Sequence, residues 1–285
     1  MKVLVVGGTG MVGSAVVAQL RANGVEPRVM TRSAEKAARL PAGTAHVVAD
    51  LEKPATLPAA FAGVDGVFLL LPVSQTETVQ GLAGVEAAQA AGLRRIVYMS
   101  VGMPPGSDVV PHVASKIPVE QAVQASGIPW TILRPNNFFQ NDLWLRDAIT
   151  TYGVYPQPLG PRGLNRVDVR DIGEAAANAL TRNIGGIVPL NGPRGLTGDD
   201  TARVYSEILE RPVRYGGDDL DLWEKQASAM FPPWMVHDFR IMYDYFIRNG
   251  AHASGSDFAA QQHLLGHAPR PFEAFVSELA KDWGK

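Results

Sequence analysis

Short apolar runs rich in Val, Ile and Leu recur along the first half of the chain, each followed by a stretch with helical spacing. Lys2 to Val6 predicts a buried strand and Met11 to Ala22 the helix after it. A strand at Pro27 to Thr31, a helix from Ala34 to Leu40 and a strand at Ala45 to Ala49 follow. The rhythm continues with a helix at Ala55 to Ala62, a strand at Gly66 to Leu71 and a long helix at Thr76 to Ala91. Arg94 to Ser100 predicts a strand, His112 to Ser126 a helix and Trp130 to Arg134 another strand. Strands that are apolar throughout, separated by helices, predict a doubly wound parallel α/β sheet, because right-handed crossovers place helices on both faces.

After Pro135 the alternation fails. Asn136 to Gly163 is rich in aromatics, Asn, Gly and Pro. A helix at Asp171 to Thr181 and a strand at Gly186 to Leu190 return the chain to the sheet. The remainder predicts a smaller, mostly helical lobe with Trp223, Phe231, Trp234 and Tyr243 in its core. The organisation expected is a dinucleotide-type core at 1–135, completed by about 166–190, and a lobe from 136–165 and 191–285. With no repeat and no long linker, the two form one compact unit.

Composition removes several functions. The chain has 26 basic and 28 acidic side chains and a formal charge of -2, so no global field draws it to nucleic acid or to anionic lipid. It has no cysteine, which excludes disulfides, thiolate metal sites and Cys nucleophiles. The apolar start resembles a signal peptide, but glycines between Gly7 and Gly13 split it, and no stretch approaches the ~18 apolar residues of a spanning helix. A soluble, cytoplasmic protein is expected, with no nucleic-acid or membrane partner. No heptad seam is present, so monomer and homodimer both stay open.

The first candidate chemistry is Gly7-Gly8-Thr9-Gly10-Met11-Val12-Gly13, between a strand and a helix. Gly7 permits the tight turn, Gly10 lets a pyrophosphate reach the backbone, and Gly13 lets helix and strand pack closely. The amides of the turn and of the first helical residues, Thr9, Met11 and Val12 included, then face the anion. At the end of the second strand the chain reads Met30-Thr31-Arg32-Ser33, where an NAD-selective site would carry Asp or Glu. Arg32 can pair with a 2′-phosphate, with a hydroxyl from Thr31 or Ser33 and added charge from Lys36. NADP(H) is therefore expected, with NAD(H) as the alternative because Glu35 is close by.

The segments VLVVGGTGMVG, VMTRSAEKA, VVADLEKPATL, VFLLLP, RIVYMSVG, HVASKIPVEQAVQASGIPWTILRPNNFFQN and VDVRDIGEAAANAL together resemble the NmrA-like atypical short-chain dehydrogenase/reductases. That group includes quinone-oxidoreductase and triarylmethane-reductase branches. The resemblance implies that Asp50 and Leu51 lie against the adenine and that Leu70 and Pro72, with Leu71, flank the adenosine side. It implies further that Ser100 closes the nicotinamide end, that Lys116 holds the nicotinamide ribose, and that Pro135 completes the cofactor set.

Typical members of the wider superfamily use a Tyr-x-x-x-Lys pair and a preceding Ser. Here Lys116 has His112 four residues earlier, on the same face of the predicted helix, and Ser100 precedes both. His112 is the candidate proton donor, with Lys116 beside it expected to push the imidazole towards neutrality. Quinones and extended conjugated acceptors need little enzymic proton transfer, so a small flat aromatic or quinone-like substrate is expected. Asn136, Asn137, Phe138 and Phe139 follow a strand's carboxyl end, and with Trp144 and Tyr155 they are the candidate substrate wall. The reading is an NADP(H)-dependent reductase of a small molecule. Its alternatives are a redox-sensing regulator with a protein partner and, less favoured, a sugar-nucleotide epimerase or isomerase. No metal is expected: His263 and His267 lack a third ligand. Asp168 and Asp171 read as turn and N-cap groups, and Glu120 as a helical partner of Lys116.

Overall fold

The computed structural model describes residues 1–182 and 184–284. Seven strands form one parallel sheet: β1 (Lys2–Val6), β2 (Glu26–Thr31), β3 (His46–Val48), β4 (Gly66–Leu70), β5 (Arg95–Met99), β6 (Trp130–Pro135) and β8 (Gly186–Leu190). Their order is β3-β2-β1-β4-β5-β6-β8, so the winding reverses between β1 and β4. The short β7 (Val154–Tyr155) and β9 (Arg214–Tyr215) pair with each other in the lobe.

Strand alternation divides the core into two layers. Val3 and Val5 face α1 (Met11–Ala22), α8 (Val169–Thr181) and α12 (Gly255–Leu265). Leu4 and Val6 face α3 (Leu57–Phe61), α4 (Glu77–Ala90) and α6 (Ile117–Ala125). Small residues set the spacing on the first side. A Cβ on Gly173 of α8 would lie 2.9 Å from the carbonyl carbon of Ala15, so α8 rests directly on the backbone of α1. The remaining helices are α2 (Ala34–Ala38), α5 (Pro111–Ala114), α7 (Arg146–Thr150), α9 (Gly198–Leu209), α10 (Leu220–Ala227), α11 (Pro233–Asn249) and α13 (Phe272–Asp282).

The helix expected from His112 to Ser126 is two helices. Pro118 stands in the first turn of α6; its ring excludes a continuous ladder from Ala114, and the chain re-starts at Lys116. His112 thus lies in α5 and Lys116 at the N-cap of α6, and each meets a different acid.

The lobe is built around a buried ion pair that the sequence did not reveal. Arg166 and Asp142 are both 0% exposed, with Arg166 Nη2 2.6 Å from Asp142 Oδ1. Arg166 also donates to Asn137 Oδ1 and to the Phe138 carbonyl, while Tyr155 and Tyr205 donate to Asp142. Burial works against the charged guanidinium, and the adjacent carboxylate more than offsets it, holding Arg166 above its ordinary range.

On the far side of α8, Asp171, Glu174 and His267 offer ligand atoms within 4.8 Å of one another. The cation among them is Arg270, which pairs with Asp171 and lies 2.5 Å from Glu174 Oε1. Asp168 caps α8 through the Arg170 amide, as its position predicted. His267 bonds the Ala268 carbonyl and Glu174, and both raise its pKa. A group favoured in its protonated form adds stability below its unfolded value of ~6.5 and loses it as pH rises through the higher folded value. Because the ring is 41% exposed, screening limits the effect. Tm is expected to fall by no more than ~2–4 °C between pH 6 and 8. His267→Gln should remove that slope; an unchanged slope in the variant would assign it to other groups.

Among the described residues no helix is long and apolar enough to cross a membrane.

Candidate functional site

The reversal of winding between β1 and β4 opens a crevice at the carboxyl ends of the strands, where ligands of open α/β sheets bind. Here it is a continuous cleft of about 1560 Å³ that runs from the β2 end to the lobe.

At one end lies the glycine turn. Gly7 has φ +70, a left-handed conformation that favours glycine. A Cβ on Gly13 would stand 2.2 Å from the Gly7 carbonyl oxygen, so the third glycine is needed for close packing of turn and helix. Gly13 itself lies outside the cleft lining, whereas Gly7, Thr9, Gly10, Met11 and Val12 are in it. The N-cap of α1 is Gly10, with no side-chain cap and no acid in the first turn. The first amides of α1 are therefore free to receive an anion.

Thr31, Arg32 and Lys36 line the same end. Glu35 is paired with Arg39, and among the described residues neither Arg32 nor Lys36 has a charged partner. The acid that argued for NAD(H) is thus taken up by a neighbour. Ser33 also lines this end; its Oγ caps α2 by accepting from the Lys36 amide and keeps its O–H to donate. Leu51, Leu70, Leu71, Pro72 and Pro135 also line the cleft. Asp50 does not: its carboxylate accepts from the Glu52 amide, and Ala49 and Leu51 take its place in the wall.

In the middle of the cleft, Ser100 Oγ is buried without a hydrogen-bond partner. A buried orphan hydroxyl costs roughly 1–3 kcal/mol unless a ligand satisfies it. With the free amides of the glycine turn and the unpaired Arg32, it gives the cleft three sets of polar groups that a phosphorylated dinucleotide would satisfy. Lys116 lines the same region, but its ammonium is bonded to Glu77, whose side chain is 0% exposed. Glu77 also accepts from Ser115 Oγ at 3.3 Å. The pairing expected between Lys116 and Glu120 does not form. Glu120 instead holds Arg134, which donates to both its carboxylate oxygens at 3.0 and 2.6 Å.

His112 also lines the cleft, with its Nδ1 2.5 Å from Asp238 Oδ1 on α11. The side chains are 10% and 6% exposed. The charged neighbour that the imidazole meets is thus an acid from the lobe, while the Lys116 ammonium is engaged by Glu77.

The lobe half of the cleft differs from the expected substrate wall. Asn136, Asn137, Phe138 and Trp144 line the cleft. Phe139 and Tyr155 do not, because both are 0% exposed. Phe139 packs against Phe272 at 5.0 Å between centroids, and Tyr155 donates its hydroxyl to Asp142. Their places are taken by α11 and the segment before it, so that Trp223, Phe231 and Tyr243, expected in the lobe core, face the cleft, whereas Trp234 does not line it. Met235, Phe239, Met242, Tyr243 and Phe246 recur at helical spacing along α11 and present one stripe to the cleft. Trp223, Met230 and Phe231 continue that wall. Burial pushes the Tyr243 phenol above its usual value, so it stays neutral. The helical period of the stripe was visible in the sequence; which face it covered was not.

The profile of the NmrA-like family matches residues 1–275. This chain belongs to that family. Among its relatives, an NAD(P)H azoreductase of Xenophilus azovorans is 35% identical over 240 residues, 83% of this chain and 84% of the relative. A (4-alkanoyl-5-oxo-2,5-dihydrofuran-3-yl)methyl phosphate reductase of Streptomyces griseus is 31% identical over 284 residues, 98% of each chain. The triphenylmethane reductase of a Citrobacter species superposes with a TM-score of 0.84 at 25% identity, covering 99% of this chain and all of the other.

Proposed function

We propose that this NmrA-like protein is an NADP(H)-dependent oxidoreductase whose acceptor is a flat aromatic or quinone-like molecule. The observation that carries the reading is the cleft itself. Its polar end offers an anion turn and an unpaired arginine, its centre an orphan hydroxyl, and its lobe end an aromatic and methionine wall. The names of the two relatives, both reductases, support the same class.

When bound, the dinucleotide supplies a hydride. The chain's own residues bind, orient and exclude water. The α1 amides hold the pyrophosphate, Arg32 and Lys36 the 2′-phosphate, and Ser100 Oγ the nicotinamide end. Lys116, fixed by Glu77, faces the ribose as one half of a buried ion pair. The α11 stripe seats the acceptor by its ring faces, while methionines adapt to differing outlines. His112 supplies a proton where the acceptor needs one.

Arg32→Ala is expected to weaken NADPH binding by about 10-fold or more, since a charge-assisted contact contributes roughly 1.5–3 kcal/mol. NADH binding should change little. Equal losses for both dinucleotides would remove the 2′-phosphate assignment. Activity is tested by following NADPH oxidation with naphthoquinones, azo dyes and triarylmethane dyes. Turnover with a member of the panel is expected. Tight NADPH binding with no oxidation by any of them would favour a cofactor-reporting regulator over a reductase.

A further inference from the structure

Asp238 lies 126 positions after His112, on a helix that also forms the acceptor wall. Its carboxylate is buried, and its bond to His112 Nδ1 crosses from the lobe to the segment between β5 and β6. Phe239, the next residue, meets the imidazole edge-on at 5.9 Å between centroids. The ring is therefore held on two sides by α11. Among the described residues no hydrogen bond reaches its other nitrogen, Nε2.

We propose that Asp238 is a positioning residue for proton transfer, fixing His112 so that Nε2 is the atom that serves the acceptor. This rests on the reductase reading above. In its protonated form the ring donates Nδ1–H to Asp238 and presents Nε2–H. The acceptor takes a hydride, and with it two electrons, from NADPH at one atom, and a proton from Nε2 at its oxygen or nitrogen. The ring is left neutral as the Nδ1–H tautomer, still bonded to Asp238, and regains its proton from solvent. A ring free to choose would place its single proton on either nitrogen; a buried acceptor at Nδ1 removes that choice. Because Asp238 belongs to α11, the same helix that seats the acceptor also orients the donor.

The test uses nitrogen-15 spectra of the histidine side chains in the full chain, together with NADPH oxidation. In the wild type, neutral His112 should be the Nδ1–H tautomer. In Asp238→Asn, the amide can turn its NH₂ toward the ring and select Nε2–H. That variant should lose ~100-fold in kcat with its NADPH Kd unchanged. Asp238→Glu keeps a carboxylate and should keep the Nδ1–H tautomer, which guards against a general loss of folding. A wild-type ring in the Nε2–H form overturns the proposal, and so does an Asp238→Asn chain that retains both tautomer and kcat. If the wild type oxidises NADPH with no acceptor in the panel, the reductase reading fails instead, and the tautomers still decide whether Asp238 fixes the ring.

Discussion

Asp142→Ala should destabilise the protein by about 3–5 kcal/mol, the cost of leaving a buried charge without its partner. Arg166 is 0% exposed and cannot reach water to recover its hydration. Its remaining partners, Asn137 Oδ1, the Phe138 carbonyl and the Tyr155 hydroxyl, are neutral. Against a total stability of roughly 5–15 kcal/mol this is a large fraction. The double variant Asp142→Leu with Arg166→Met removes both charges and should cost less than the two single changes added together. The measurement is urea unfolding of the wild type, Asp142→Leu, Arg166→Met and the double variant, with Asp142→Ala alongside. Additive losses would mean that the two side chains act independently, contrary to the geometry. The cleft should respond as well, because Arg166 holds Asn137 and Phe138, which line its lobe end.

Gly13→Ala should lower NADPH affinity by about 10–100-fold, the equivalent of losing one or more charge-assisted bonds. It should also cost roughly 1–3 kcal/mol of stability through overpacking. The new methyl would sit 2.2 Å from the Gly7 oxygen and 2.7 Å from Gly8 Cα, both backbone atoms. The turn must move, and with it the amides that face the anion. Gly10→Ala is the contrasting variant. Its Cβ would lie 3.4 Å from the Gly7 oxygen, an ordinary contact, so the fold should be nearly unaffected. Any loss of NADPH binding there would come from crowding the bound pyrophosphate. If Gly10→Ala binds NADPH as tightly as the wild type, the phosphates do not approach the turn at that point.

The fold was legible because its signal is local. β1, α1 and β8 have the bounds that their apolar runs and flanking glycines predicted. Where the reading erred, the deciding fact was a distant contact or a competing local rule. Pro118 split a helix whose apolar spacing was unbroken. Lys116 found Glu77 from α4 and not Glu120 on its own helix, because Arg134 from β6 claimed Glu120 in a two-pronged pairing. Phe139 and Tyr155 had the right chemistry for an acceptor wall, but the Arg166–Asp142 pair drew the surrounding chain into the lobe core. Asp238 had no local mark at all. The shape of the glycine turn and the unpaired Arg32 at the cleft were legible because a tight backbone turn and a free charge are both written in a few adjacent residues.

The order of the strands also governs how the protein is made. β6 ends at Pro135, and its outer neighbour β8 begins only at Gly186. During synthesis from the N-terminus, the six strands of the first half can assemble while the outer edge of β6 has no partner. The segment that emerges next, from Asn136 onward, contributes much of the lobe core, and that core cannot close until α9 and α13 follow. An unpaired strand edge beside unburied aromatics is the arrangement most prone to join a second chain. The nascent protein therefore passes through an interval in which the open edge of β6 and unburied lobe aromatics coincide; it ends once β8 docks on β6 and the lobe core closes, leaving β8 as the sheet edge.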